Sequence, residues 1–281
     1  MNQQMRGVFF VDAHTHLYPM YNRVVFFDGA LAHVSAAAER IAPGQSYWGC
    51  LLFSETVRDH AFLELSRQAA EGVAVGRWSL RPTAEVGSLL ASREGEDRLI
   101  LVAGRQIQTA EDLEVLALFC ESEIPERLPL RSALAEVCGR DALAVLPWGF
   151  GKWWLGRGRL LDSLLRSDYA MRLALGDNGG RPIGFPTPPA FRLAESTGRL
   201  VLPGSDTLPL DSEMGQAAHY GFVLEGSVEC ERPGTALKRL LLSQTKSPPP
   251  FGRRVGLGRF VRNQIKLRLD KSAGRAAAGG P

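Results

Sequence analysis

The stretch VFFVDAHTHLYP, Val8 to Pro19, runs an apolar segment directly into His14 and His16. Residues i and i+2 of an extended strand point to the same side, so both imidazoles can face one metal ion from the strand's C-terminal end, with Asp12 on that side as well. Neutral imidazole suits zinc and related divalent ions, and an ion with an open coordination position activates water near neutral pH. The same spacing also arises as a satisfied polar pair at a strand end. Three further stretches carry groups suited to a site. LPWGFGKWW puts Lys152 in a Gly- and Trp-rich loop, where its ammonium can bind an anionic group or stand solvated beside Trp148, Trp153 and Trp154. ALGDNGGRP delivers Asp177, Asn178 and Arg181 through a turn whose backbone can approach a phosphate or carboxylate with Arg181 as partner, or which is ordinary turn chemistry. RLVLPGSDTLPL brings Asp206 just past a strand that ends at Pro203.

These groups need elements to carry them, and the pattern predicts alternating strands and helices. Helices are expected over 28–41 with Asp28 as N-cap, over 57–70 behind a Thr56 cap, and over 111–119, 132–138, 159–166, 189–196 and 236–242. Continuous apolar runs such as SYWGCLLFS read as parallel strands buried on both faces, with Glu55 at that strand's end as a ligand or a cap. Residues 72–108 depart from this alternation and read as three short strands, a small antiparallel insertion whose last strand rejoins the main sheet. Seven main strands are counted, the last of them beginning just after His219. His33 and His60 read as helix residues of structural role. The fold class expected is α/β, a TIM-like (β/α) barrel, distorted or seven-stranded, spanning 1–245. SPPPFG then breaks the chain, and 246–281 form a tail with an amphipathic helix over 255–269 and a disordered end, SAGRAAAGGP.

VDAHTHLYP resembles the first-strand signature of amidohydrolase-type metal-dependent hydrolases, and GSDTLP resembles the segment at their last barrel strand. The resemblance implies that His14, His16 and Asp206 hold one divalent ion, zinc ahead of manganese or iron, with Asp177 or Glu55 as possible additions. Asp206 would be ligand or general base, and Lys152 with Arg181 would orient a small anionic substrate near Asn178 and Asp177. No histidine lies between His60 and His219, so a binuclear centre is not expected. A weaker resemblance is to the polymerase and histidinol phosphatase (PHP) family, whose barrels are seven-stranded and whose members are phosphoesterases; its further histidines and final DxH are absent here. The other reading open at this point is a barrel without catalysis that acts as a binding or regulatory protein.

The bulk composition, 45% hydrophobic and 22% charged over 281 residues, is that of a globular chain. The formal net charge of +3 is uneven: residues 246–281 hold nine Lys or Arg and one Asp, and the remainder has 24 basic and 29 acidic residues. The body therefore shows no basic face, and nucleic acid is not expected as a partner. The basic amphipathic helix can lie on an anionic membrane, contact another protein, or dock on its own domain, with docking favoured. Cys50, Cys120, Cys138 and Cys230 have no CxxC spacing, which argues for reduced thiols. With no signal-peptide pattern and no apolar run long enough to span a bilayer, a cytoplasmic location is expected.

Overall fold

Strand β1 (Gln4–Thr15) runs through the centre of the molecule, and the alternation of its side chains sets the layers. Val8 and Phe10 face one apolar core; Phe9, Val11 and Ala13 face another. A computed structural model describes residues 4–167 and 173–278. In chain order, β1 leads to α1 (Arg23–Ile41), β2 (Tyr47–Phe53) and α2 (Ala61–Ala70). Five strands follow: β3 (Trp78–Pro82), β4 (Ser88–Arg93), β5 (Glu96–Val102), β6 (Gly104–Gln108) and β7 (Glu114–Leu118). Then come α3 (Leu130–Gly139), β8 (Leu143–Pro147), α4 (Gly156–Arg166), β9 (Leu173–Asn178), α5 (Pro189–Ser196) and β10 (Val201–Gly204). The chain closes with β11 (Tyr220–Glu229), α6 (Pro233–Leu242), β12 (Pro250–Gly252) and α7 (Leu257–Ala278).

The strands form two mixed sheets, one of seven in the order β12-β11-β1-β2-β5-β4-β3 and one of five in the order β10-β9-β8-β7-β6. Helices α1 and α2 cover the outer face of the larger sheet, where Phe26, Phe27, Phe62 and Leu65 pack with Phe10, Leu51, Phe53 and Trp78. Phe9, Val11, Leu52, Ile100, Leu116, Val145, Leu202 and Phe222 fill the space between the sheets. Helices α3, α4 and α5 cover the smaller sheet through Leu134, Leu161, Leu165 and Phe191.

This arrangement corrects the expected barrel. A (β/α) barrel requires parallel strands, each joined to the next by a crossover, but β1 pairs antiparallel with β11, β3-β4-β5 are antiparallel neighbours, and β7 is antiparallel to both β6 and β8. The β4–β5 connection is a two-residue turn, Glu94 and Gly95, both at positive φ, which allows only a hairpin. Between β5 and β6 a single residue, Ala103, carries the chain from one sheet to the other. Gly104 makes that corner possible: a Cβ there would lie 2.2 Å from the Phe53 carbonyl oxygen. The sheets touch at Glu55 and Arg105 through one bridge, but no ladder runs round to close them.

Several local expectations change with it. Residues 111–119, expected as a helix, hold β7: Val115 and Ala117 face the α3 side while Leu116 and Leu118 face the other sheet. Both faces are apolar, so the run has no period of two to distinguish it from a buried helix. Thr109 accepts from the Leu113 N–H through its Oγ1 in the β6–β7 turn. Helix α1 starts earlier than expected, capped by Asn22, whose side chain accepts from the Val24 and Val25 N–H groups; Asp28 pairs with Arg77 and Arg93 instead. Glu55 accepts from Phe62 N–H and pairs with Arg105, so it caps α2. Helix α7 continues through Ala278 where disorder was expected; residues 279–281 lie outside the described residues, as do 171 and 172 at the start of the β9 run. Twelve strands, rather than seven, occur among the described residues, and none of the helices searched there is long and apolar enough to cross a membrane.

Candidate metal centre

His14 ends β1 and His16 lies two residues further on; both rings are buried, 4% and 5% exposed. Their Nε2 atoms are 3.1 Å apart. Asp206, in the loop after β10, places Oδ1 3.4 Å from His14 Nε2 and 3.5 Å from His16 Nε2. A tetrahedral site with bonds of about 2.0–2.1 Å separates neighbouring donor atoms by about 3.3–3.4 Å. The observed triangle matches that spacing, and the three residues form a group able to hold a divalent metal ion. Burial lowers the pKa of His14 against the raising field of Asp206, which keeps the imidazole neutral and its lone pair available. Burial pushes the Asp206 carboxyl up, but His14, His16 and Lys152 outweigh that and hold it well below the usual carboxylate range.

Asp12 does not join this triangle. It is fully buried and accepts from three backbone N–H groups, those of His14 (3.1 Å), Ser205 (2.8 Å) and Ala218 (2.9 Å), and from the Ser205 hydroxyl. It therefore ties the end of β1 to the segments that precede Asp206 and β11. Asp206 N–H donates to the His14 carbonyl (2.8 Å), closing the same junction. Gly204 allows this approach, since a Cβ there would be 2.5 Å from the His14 nitrogen. Asp206 itself sits at φ 47°, a left-handed conformation that aspartate tolerates better than most residues.

The centre opens into a cavity of about 490 Å³. Lys152 lines it and pairs with Glu114 at the start of β7. Asn178 donates to Asp206 Oδ2 and to the Trp148 carbonyl (3.2 Å), fixing the carboxylate's orientation. Gln106 Oε1 lies 3.0 Å from His14 Nε2, and Tyr18 stacks on His16 at 5.2 Å. Of the residues expected to meet substrate, Asn178 and Lys152 line this cavity and Asp177 and Arg181 do not. Arg181 is buried in a two-pronged pair with Asp177 (2.7 and 2.8 Å), which also accepts from the Tyr220 hydroxyl (2.7 Å).

Sequence reasoning missed Gln106, Glu114 and Tyr18. Tyr18 stands inside HTHLYP and could have been found there; Gln106 and Glu114 lay in segments assigned to an insertion and a helix. An aromatic recess of about 400 Å³ adjoins the cavity and shares Trp148 and Phe150 with it. Phe260, Asn263 and Leu267 of α7 also line the cavity, and Phe260 meets Phe150 (5.5 Å) and Phe185 (6.1 Å) of the recess. Arg259 and Asn263 hold the helix there through Glu213. The face that docks is thus the one carrying Phe260 and Asn263, while Leu257, Val261, Ile265 and Leu269 are exposed.

No protein-family model matches the chain, and no curated protein matches it. Among solved structures it is similar to PsfC from Pseudomonas syringae PB-5123, at 12% identity over 85% of this chain and 98% of that one, TM-score 0.46. It is also similar to Endonuclease Q in complex with a 27-mer duplex substrate bearing an abasic lesion, at 12% identity over 84% and 57% of the two chains, TM-score 0.47. A third is the lesion-specific endonuclease from Pyrococcus furiosus, at 12% identity over 78% and 52%, TM-score 0.43. The chain spans little more than half the length of the endonuclease chains. The expected amidohydrolase-type barrel is overturned by the two mixed sheets, which do not close on one another. The expectation that nucleic acid is no partner is withdrawn; of the structures named, Endonuclease Q was solved with a duplex.

Proposed function

We propose that this chain is a divalent-metal-dependent hydrolase acting on phosphate esters, the PHP-like reading rather than the amidohydrolase one. The observation that carries the proposal is the His14–His16–Asp206 triangle, whose 3.1–3.5 Å edges suit one ion, set at the floor of a cavity that Lys152 also lines. Zinc is the first candidate for that ion, manganese and iron the next. Held by these three residues, it supplies Lewis acidity toward a phosphoryl oxygen and lowers the pKa of water.

The chain's own groups do the rest. Asn178 keeps Asp206 oriented for the ion and leaves it ionised. Lys152, braced by Glu114, meets the phosphoryl oxygens and offsets charge that develops on them. Tyr18, Trp148 and Phe260 limit the access of bulk water to the cavity. The adjoining aromatic recess gives a planar or apolar leaving group a place to pack. Four free cysteines, Cys50, Cys120 and Cys230 buried and Cys138 partly so, suit the cytoplasm as the proposed compartment.

The test is to purify the protein without chelator, count metal per chain, and follow release of phosphate or nitrophenol from p-nitrophenyl phosphate and its diester, with nucleic-acid phosphodiesters in the same screen. About one ion per chain with turnover, both lost in a folded His14→Ala, His16→Ala double variant, supports the reading. No metal even after reconstitution sinks it. Metal without turnover on any phosphate ester returns the chain to the binding-protein reading.

A further inference from the structure

Behind the metal cavity, and sharing His219 and Val255 with it, lies a second cavity of about 370 Å³ whose charged lining is made of arginines alone. Arg40 reaches it from α1, Arg253 and Arg254 from the loop after β12, Arg259 from α7, and His33 and His219 stand between them. No carboxylate lines it among the described residues. Arg259 is occupied by Glu213 and Gln216 (2.9 Å to each). Arg40, Arg253 and Arg254 have no ion pair among the described residues. The loop that carries the two adjacent arginines is held in place: Arg253 N–H donates to the His219 carbonyl (3.1 Å) and Val255 N–H to the Gly179 carbonyl (2.9 Å). At Gly252, φ is 75° and a Cβ would lie 2.0 Å from the same His219 oxygen, so this turn cannot relax outward without losing that approach.

Three side-chain atoms of the lining residues are buried without a hydrogen-bond partner: Arg254 Nη1, His219 Nε2, and Arg259 Nη2, which faces Glu213 as an ion pair. The His219 ring is otherwise anchored, its Nδ1 donating to the Gln216 carbonyl (2.8 Å), and His33 Nδ1 donates to the Ala217 carbonyl (2.9 Å). A guanidinium N–H removed from water with no acceptor is costly, and Arg40 and Arg253, exposed at the rim, add repulsion to half-buried Arg254. An anion in the cavity relieves the repulsion among these guanidinium groups. Guanidinium forks match the oxygens of a phosphoryl group, which accepts from several of them at once, and the lining contains arginine and no lysine.

The geometry points to a second, metal-independent anion site here, built to hold the phosphate group of a phosphorylated ligand against Arg40, Arg253 and Arg254. It goes beyond the proposed hydrolase chemistry and needs no ion at His14, His16 and Asp206. The phosphate belongs either to a second position on the substrate of the metal site, reached past His219, or to a separate small effector.

Calorimetric titration of the full chain with inorganic phosphate, in chelator and at low salt, tests it. The result expected is saturable binding of one phosphate with a Kd of about 1 mM or tighter. Binding weakens about tenfold or more in Arg254→Ala and in Arg40→Ala, is partly kept in Arg254→Lys, and is unchanged in the His14→Ala, His16→Ala double variant. No saturable binding to the wild type, or equal binding by wild type and a folded Arg254→Ala, overturns the site. Loss of binding in the double histidine variant alone also overturns it, since the phosphate would then sit at the metal centre. With phosphate bound, a phosphate ester that competes for it assigns both to one ligand, and one that binds independently assigns the cavity to a separate effector; either result supports the site.

Discussion

At the scale of single residues the centre depends on protonation states that burial sets. His14 and His219 both have pKa values lowered chiefly by burial. The folded state therefore refuses protons that the unfolded chain accepts below about pH 6.5, so the metal-free protein loses stability as pH falls through that value and stops losing it only below the folded-state pKa values. Urea unfolding of the chelated protein at pH 5.5 and 7.5 checks this, and a free energy that is higher at the acid pH contradicts it. Lys152 makes a second residue-scale case. Lys152→Met is expected to lower kcat/KM on a phosphate ester by about 10²-fold while metal content stays at the wild-type level; a variant as active as the wild type removes Lys152 from the chemistry. Glu114 complicates a charge reversal at this position, which is why the neutral variant is preferred.

At the scale of elements, the junction of β1 with the segments around β10 and β11 matters more than any one ligand. Asp12 gathers N–H groups from all three, so Asp12→Ala strands the buried donors of His14, Ser205 and Ala218. The expected loss is at least about 3 kcal/mol, read as a lower denaturant midpoint, together with weaker metal binding because His14 and Asp206 are no longer held in register. A midpoint within error of the wild type would mean the carboxylate is dispensable. The same scale shows where sequence reading held and where it failed. The β1 and β10 strands were legible because each carries a short apolar run stopped by polar residues. Residues 114–118 were not, because a strand apolar on both faces has no periodicity to mark it. Asn22 was missed as a cap because Asp28 stood in a better-looking pattern.

At the scale of the whole molecule, the proposed metal ligands come from different sheets: His14 and His16 from the end of β1 in the seven-stranded sheet, Asp206 from the loop after β10 in the five-stranded one. An ion there cross-links the two layers. At about 100 times its Kd it should add about 2.7 kcal/mol of stability, raising Tm by roughly 5–10 °C for a domain of this size. Thermal scans with and without chelator read this, and an equal rise in the His14→Ala, His16→Ala variant would locate the metal elsewhere. The sequence by itself determined that His14 and His16 share one side of a strand end, since a period of two is a property of extended backbone. It also determined that the chain is α/β, because apolar runs and amphipathic segments alternate. Only the tertiary structure decided how the strands associate. Strand direction depends on connection length and on close approaches such as those at Gly104 and Gly204, which are contacts between residues distant in sequence. Tertiary contacts likewise brought Gln106, Glu114 and Asp206 to the histidines, turned Arg181 inward to Asp177, and gathered Arg40, Arg253 and Arg254 around one cavity.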